Sequence, residues 1–260
     1  MTRRRFYAPP ADIEGAVVTL SAEETHHLIR VLRMTPGDEA FVFDGCGREY
    51  RSRFRDIQDN RARLDVQHEL DDVVESPLRL TLAQALAKAE KFDLIVQKAT
   101  ELGVTSITPL VTRYADVKLD DEQKAKRAER WRRISLEALK QCGRRKLVEI
   151  ACPRTLGEFL SSSQPSPDCG SPAPRELLVF SQTGGVTVLE AVAKLSGMSH
   201  VVAMIGPEGG WGDDELLLLE ECGGTAVTLG PRVLRTETAA VAAITLIQHA
   251  IGDVSVRGNR

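Results

Sequence analysis

The sequence predicts an α/β protein in two parts, a small, mostly antiparallel β-barrel over residues 1–72 followed by a parallel-sheet domain over 73–260. Three observations carry this. Up to His68, short β-type runs are divided by turn dipeptides. After Pro77, strand-like runs alternate with helical ones, the pattern of a parallel sheet covered by helices. Composition shifts as well: the first 70 residues hold eleven arginines and no lysine, and the first lysine is Lys88.

In the first part the strand-like runs are 16–20, 39–43, 49–57 and 61–68, separated by Pro36-Gly37, Asp44-Gly45 and Asp59-Asn60. One helix interrupts them. Ser21 followed by Glu24 forms a capping box, the serine accepting a backbone N–H and the glutamate returning the bond, and it opens a helix to about Leu32. Asp71, Asp72, Glu75 and Ser76-Pro77 make a polar hinge.

The second part begins with a strand over 78–85. A helix follows in which Phe92, Ile95, Ala99 and Leu102 recur at helical spacing, closed by Gly103 as a left-handed terminator. Next come a strand over 106–110, a basic helix, a short strand over 147–150 and a helical segment near 156–160. Residues 161–174, rich in Ser and Pro, read as a flexible crossing segment. Three β-α units finish the chain: 177–180 into 187–195, 201–205 into 213–222, and 226–229 into 236–251.

Composition excludes several classes. With 42% hydrophobic and 27% charged residues the chain is globular, not disordered. Its longest apolar runs, 201–205 and 239–247, fall short of the ~20 residues of a membrane helix. The start carries three arginines and no apolar core, unlike a secretory signal, so a soluble cytoplasmic protein is expected. Five cysteines, Cys46, Cys142, Cys152, Cys169 and Cys222, lack any C-x-x-C pair, which argues against disulfides and structural zinc. His26 and His27 are adjacent and diverge by roughly 100° on a helix, so no metal site is expected.

Charge is unevenly placed. The net charge is −3, yet 124–146 holds ten Lys or Arg against Glu129 and Glu137. On a helix, Lys126, Arg130, Arg133, Lys140 and Arg144 share one stripe, and Trp131, Ile134, Ala138 and Cys142 another. Such a helix packs by its apolar side and turns cations outward, toward solvent or a polyanion.

Ligands collect at the carboxyl ends of strands in open α/β sheets. Three loops stand there: Ser181-Gln-Thr-Gly-Gly185, Gly206-Pro-Glu-Gly-Gly-Trp-Gly212, and Gly230-Pro-Arg-Val-Leu-Arg-Thr-Glu-Thr238. Their glycines permit close backbone approach and their prolines stiffen the turns. Neither a dinucleotide fingerprint nor a P-loop is present, and no lysine follows Lys194. A nucleotide-phosphate ligand is therefore disfavoured. The last loop adds Arg232, Arg235 and Glu237, where an Arg235–Glu237 brace of the turn and substrate contacts both make sense.

These loops resemble those of a known family. Gly206-Pro-Glu-Gly-Gly210 with Leu229-Gly-Pro-Arg-Val-Leu-Arg-Thr-Glu-Thr-Ala239 is similar to the paired cofactor loops of the RsmE family of the SPOUT superfamily, bacterial rRNA uridine-N3 methyltransferases. Arg30-Val-Leu-Arg-Met34, Phe43-Asp-Gly45, Gln97-Lys-Ala-Thr-Glu-Leu-Gly-Val104 and Gln141-Cys-Gly-Arg144 extend the likeness over essentially the whole chain. Trp211-Gly212 departs from the usual Phe- or Leu-Ser and puts the following helix cap in question.

The resemblance implies a PUA-like β-barrel that helps hold RNA, then a SPOUT-type parallel sheet with a trefoil knot. It also implies a homodimer, S-adenosylmethionine as cofactor, and small-subunit rRNA as partner, within the assembled subunit. Cofactor contacts would come from Phe180, Ser181, Gly206, Pro207, Glu208, Gly209, Leu229, Gly230, Leu234 and Thr238. Uracil N3 carries a proton, so the site must favour the imidate by accepting that proton or by placing cations at O2 and O4. Arg235 is expected in the second role and Glu237 as base or orienting group, with Arg232 and Arg144 as further candidates. RNA contacts are expected from Arg3, Arg4, Arg5, Arg30, Arg33, Arg130, Arg133 and Arg144.

Two competing readings share these features. A covalent route would attack uracil C6 with the Cys142 thiolate, beside Arg144 and Arg145, although a helix C-terminus opposes an anion. A non-catalytic RNA-binding assembly factor would keep the RNA contacts and lack cofactor affinity.

Overall fold

The computed structural model describes residues 3–72, 74–115, 119–162, 175–182, 184–195 and 200–254. Contacts divide the chain into two compact units. One is built on the chain up to Glu75 with Leu139–Leu147, the other on Ser76–Ala138 and the chain from Val148 onward.

The first unit is a six-stranded sheet with strands β1 (Arg5–Tyr7), β2 (Ile13–Glu14), β3 (Val17–Thr19), β4 (Glu39–Phe43), β5 (Glu49–Gln58) and β6 (Arg61–Glu69). Their order is β1-β4-β5-β6-β3-β2, antiparallel except for the β1–β4 pair. Asp59 and Asn60 join β5 to β6 with φ of 50° and 61°, the left-handed pair that a two-residue hairpin requires. Phe6, Leu20, Leu28, Val42, Phe54 and Leu64 fill the core. The arginine-rich start is thus partly a strand, with Phe6 fully buried.

Helix α1 (Ala22–His26) opens at Ser21, whose Oγ accepts the Glu24 N–H at 3.1 Å. Glu24, expected to return that bond, carries its carboxylate into an ion pair with Lys140. The expected helix to Leu32 widens into a π turn over His27–Val31, and Arg33 leaves it at φ 50°.

In the second unit every strand pair is parallel. Its strands are β7 (Arg79–Ala85), β8 (Ser106–Val111), β9 (Glu149–Ile150), β10 (Arg154–Thr155), β11 (Glu176–Phe180), β12 (Val186–Thr187), β13 (His200–Ile205) and β14 (Thr225–Thr228). The order is β10-β8-β7-β13-β11-β14-β12, with β9 beside β8. Successive side chains alternate between two cores, as a sheet buried on both faces demands. Leu80, Leu82, Leu178, Val201 and Ala203 belong to one, under helices α2 (Ala89–Glu101), α5 (Val188–Ala193) and α7 (Thr236–Ile251). Ala83, Leu177, Val179, Val202 and Met204 belong to the other, with α4 (Leu156–Ser161) and α6 (Asp213–Glu221). Gly103 ends the α2 turn at φ 86°, where a side chain would be strained. Most of the expected crossing segment, 163–174, lies outside the described residues.

Helix α3 (Asp121–Cys142) buries Trp131 against Phe92, with ring centroids 4.3 Å apart. The five cations of the expected stripe are not free, because each finds an acid, Lys140 pairing with Glu24 and Arg144 with Glu75. Lys126 pairs with Glu122, Arg130 with Asp93 at 2.6 Å, and Arg133 with Glu129 at 2.5 Å. Arg5 and Arg144, expected to reach RNA, are 7% and 6% exposed. Arg5 donates to Glu49 at 2.6 Å and to the Leu139 carbonyl, and Arg144 to Glu75 at 2.8 Å. Arg145 joins the same Glu49 at 3.2 Å. Burying a guanidinium demands such partners, so these arginines knit residues 139–147 into the first unit.

Candidate active site

Three loops leave the carboxyl ends of adjacent strands β13, β11 and β14 and are tied together by backbone-directed bonds. The Ser181 N–H donates to the Val227 carbonyl at 3.1 Å. Trp211 Nε1 donates to the Phe180 carbonyl at 3.1 Å, which anchors the end of the 206–212 loop to β11. The Trp211 indole also explains Gly206: a Cβ there would stand 3.1 Å from its Nε1. Pro207 accepts from the Gly210 N–H at 3.0 Å, and Gly210, at φ 77°, completes that turn.

After β14 the chain turns at Gly230, φ 98°, and returns across the sheet end to begin α7 over β13 and β7. Thr236 fixes the landing. Its hydroxyl donates to the Gly206 carbonyl at 3.0 Å and accepts from Gln84 Nε2 at 3.0 Å. Gly212 opens α6 without a side chain to cap it. Glu215 supplies the cap, accepting the Gly212 N–H at 2.9 Å with one carboxylate oxygen and the Arg113 N–H at 2.9 Å with the other.

The loops enclose a cavity of about 260 Å³. Of the residues expected there, Phe180, Ser181, Gly206, Pro207, Gly209, Leu229, Gly230 and Leu234 line it. Glu208 and Thr238 do not. Thr238 is on the exposed side of α7, where Thr236 and Ala239 face the cavity, while Glu208 turns into a neighbouring cavity. Gln182, Trp211, Asp213 and Arg232 are lining residues that the loop reading did not single out for this role. Helical spacing alone could have found Thr236 and Ala239, three residues apart on the first turn. The wall is mostly apolar and backbone, with one acid, Asp213, one cation, Arg232, and no lysine.

Arg235 is exposed, and its charge acts on Glu208. Lys91 forms an ion pair with Glu208 and, by hydrogen bond and charge, holds that carboxyl below its ordinary value; Lys88 and Arg235 push the same way. Glu237 is half-buried, and its Oε2 is enclosed without a hydrogen-bond partner among the described residues. No Arg235–Glu237 ion pair forms among the described residues. Cys142 directs its Sγ to the Leu139 carbonyl, 3.9 Å away. Arg4 pairs with Asp38 at 3.4 Å, and Arg30 and Arg33 are exposed. Among the described residues there is no cluster of acids, histidines and cysteines able to hold a metal, and no helix long and apolar enough to cross a membrane.

Known proteins share this arrangement. Residues 74–248 match an RNA methyltransferase domain, and residues 20–67 an RNA methyltransferase PUA domain. The chain is 35% identical over 244 residues to ribosomal RNA small subunit methyltransferase E of Synechocystis, covering 94% of this chain and 76% of that protein. The Bacillus subtilis protein of the same name is 30% identical, with 91% of each chain covered. A crystal structure of ribosomal RNA small subunit methyltransferase E from Neisseria gonorrhoeae bound to S-adenosyl methionine superposes with a TM-score of 0.83, at 33% identity over 97% of this chain and all of that one. A Legionella pneumophila protein in complex with the cofactor SAM gives a TM-score of 0.86, also at 33% identity, over 98% of this chain and 100% of that one. With the sheet order, the three loops and these matches in agreement, the chain belongs to the RNA methyltransferase family that includes ribosomal RNA small subunit methyltransferase E.

Proposed function

We propose that this protein methylates uracil N3 in small-subunit 16S rRNA with S-adenosylmethionine as donor, acting as a cytoplasmic homodimer on the assembled subunit. The observation that carries this reading is the lysine-free cavity between the three strand-end loops, whose wall joins apolar side chains such as Leu229 and Leu234 to the backbone of Gly206 and Gly230. A purine nucleoside without phosphate suits such walls, and Asp213 and Arg232 offer one charge of each sign to an amino-acid tail. The donor supplies a carbon electrophile on a sulfonium whose sulfur departs with the bonding pair.

The rest of the task falls to the protein's own side chains. Arg235, exposed at the start of α7, places donors at the uracil oxygens and stabilises the imidate charge. Glu237, half-buried on the first turn of α7, accepts or orients the N3 proton. Neither role uses a thiol, so Cys142 is outside this chemistry. Residues 1–72 serve as the PUA-like RNA-binding domain and 73–260 as the knotted methyltransferase domain. Arg4, Arg30 and Arg33 on the first, with Arg130 and Arg133 on α3, contact phosphate and position the RNA.

Two measurements test the reading. S-adenosylhomocysteine should bind calorimetrically and raise the melting temperature. Mapping of methylated uridines in 16S rRNA should reveal a site that disappears when the protein is deleted. A protein with RNA affinity but without heat or stabilisation at millimolar ligand would be a non-catalytic assembly factor.

A further inference from the structure

A second cavity, of about 460 Å³, opens where β7, β8 and β13 end, and Pro207 and Gly209 line it as well as the loop-enclosed one. One turn of chain therefore separates the two spaces. The remaining wall carries Lys88, Arg113 and Tyr114, and Glu208. We propose that this cavity receives the flipped target base, with Tyr114 as its stacking platform and Lys88 and Arg113 as the cations that select uracil over cytosine. The proposal rests on the methyltransferase reading above and adds to it the place of the acceptor.

Three features support the assignment. Tyr114 is 50% exposed, and its Cβ stands 3.1 Å from where a Gly209 side chain would begin, so its ring is held against the shared turn. An exposed aromatic is what an unstacked base needs. The charges are also arranged for a polar acceptor. Asp214 answers Arg113 at 2.9 Å and Lys91 answers Glu208, while Lys88 makes no ion pair among the described residues. Lys88 is moreover the N-cap of α2 with no side-chain cap, so the positive end of that helix faces the same place. Finally, ammonium and guanidinium groups only donate hydrogen bonds. They suit the O2 and O4 of uracil and the charge that the imidate gathers there, whereas the N4 amino group of cytosine also donates and would be opposed.

The test uses the full chain, tritiated S-adenosylmethionine and small ribosomal subunits from cells lacking the protein. Tyr114→Ala and Lys88→Ala should each lower the single-turnover rate at least tenfold, while S-adenosylhomocysteine affinity and melting temperature stay within twofold and about 2 °C of the parent. Tyr114→Phe and Lys88→Arg should recover most of the rate, since ring and charge are restored. Rates within twofold of the parent for both alanine variants would overturn the proposal. An unsubstituted protein that neither binds S-adenosylhomocysteine nor methylates the subunits would instead overturn the reading beneath it, and the assignment with it.

Discussion

The Thr236 hydroxyl and the Gly206 carbonyl, 3.0 Å apart, join two loops that are separated by a whole β-α unit in sequence. This bond, backed by Gln84, sets where α7 begins and hence how wide the cavity between the loops stands. Gln84 is fully buried, and its Oε1 already lacks a partner among the described residues. Thr236→Val keeps the shape and deletes the hydroxyl, leaving the part-buried Gly206 carbonyl without this donor and Gln84 Nε2 with its bond to the Ala85 carbonyl alone, at a cost of about 1–3 kcal/mol. The expected result is a lower melting temperature and a roughly tenfold weaker S-adenosylhomocysteine affinity by calorimetry, with Thr236→Ser near the parent.

Removal of the Glu49 charge should unfold the first unit well before it disturbs RNA contacts directly. Glu49 is 1% exposed and faces both Arg5 and Arg145. Glu49→Ala leaves the buried Arg5 guanidinium with carbonyl partners alone and Arg145 with Asp72 as its one remaining carboxylate, a loss of about 3–5 kcal/mol. A melting temperature lowered by roughly 10 °C is expected. Arg4→Ala, at an exposed pair, should change stability by less than about 0.5 kcal/mol and register in the salt dependence of RNA binding. An unchanged melting temperature in Glu49→Ala would return Arg5 to the list of RNA contacts.

That contrast marks what could be read from the residues alone. Apolar runs alternating with helical segments placed the inner strands and α7, whose bounds, Thr236–Ile251, equal the expected 236–251. The three loops were legible because glycine and proline punctuate them. Burial of charge was not. Arg5 and Arg144 look like surface cations in sequence, and only the meeting of Glu49 and Glu75 with residues 139–147 makes them interior. The short edge strands β10 and β12 carry two residues each, too few for a period. Glu208 faces the neighbouring cavity because side-chain direction within a glycine-rich turn depends on φ values that sequence does not state, and Thr238 stands on the exposed face of α7, where Thr236 and Ala239 take the cavity side.

Arg235→Ala should separate binding from chemistry. Its guanidinium is exposed and absent from the wall of the loop-enclosed cavity, so S-adenosylhomocysteine affinity should stay within about twofold. Loss of a donor to a developing anion commonly costs about 10²–10³ in rate. Single-turnover measurement at saturating cofactor is the discriminating readout, and an unchanged rate would remove Arg235 from the reaction. Glu237→Gln should show a comparable fall together with an altered pH profile if its carboxylate accepts the N3 proton.

Acid should weaken the second unit through His200 before most carboxylates titrate. Its Nε2 lies 3.0 Å from Thr81 Oγ1, which is itself 2.8 Å from Ser106 Oγ, so the ring is fixed among strand ends β13, β7 and β8. Burial first, then the charges of Arg79 and Arg175, lower its pKa from 6.5 to about 4. The folded state therefore holds the imidazole neutral, while the unfolded chain takes up a proton as pH drops below 6.5. The contribution is complete above pH 6.5 and is lost progressively as pH falls through the window down to about 4. Asp56, Asp214 and Glu208, all held low by cationic partners, lose their contributions only as pH falls below their ordinary carboxylate values, so pH 5 isolates the histidine. Discounted for partial solvation, the effect at pH 5 is about 1 kcal/mol, or about 2–4 °C. His200→Gln keeps a hydrogen-bonding group without a proton to gain. Its melting temperature should fall less than the parent's between pH 7 and pH 5, and parallel slopes for the two proteins would show that His200 does not titrate in this window.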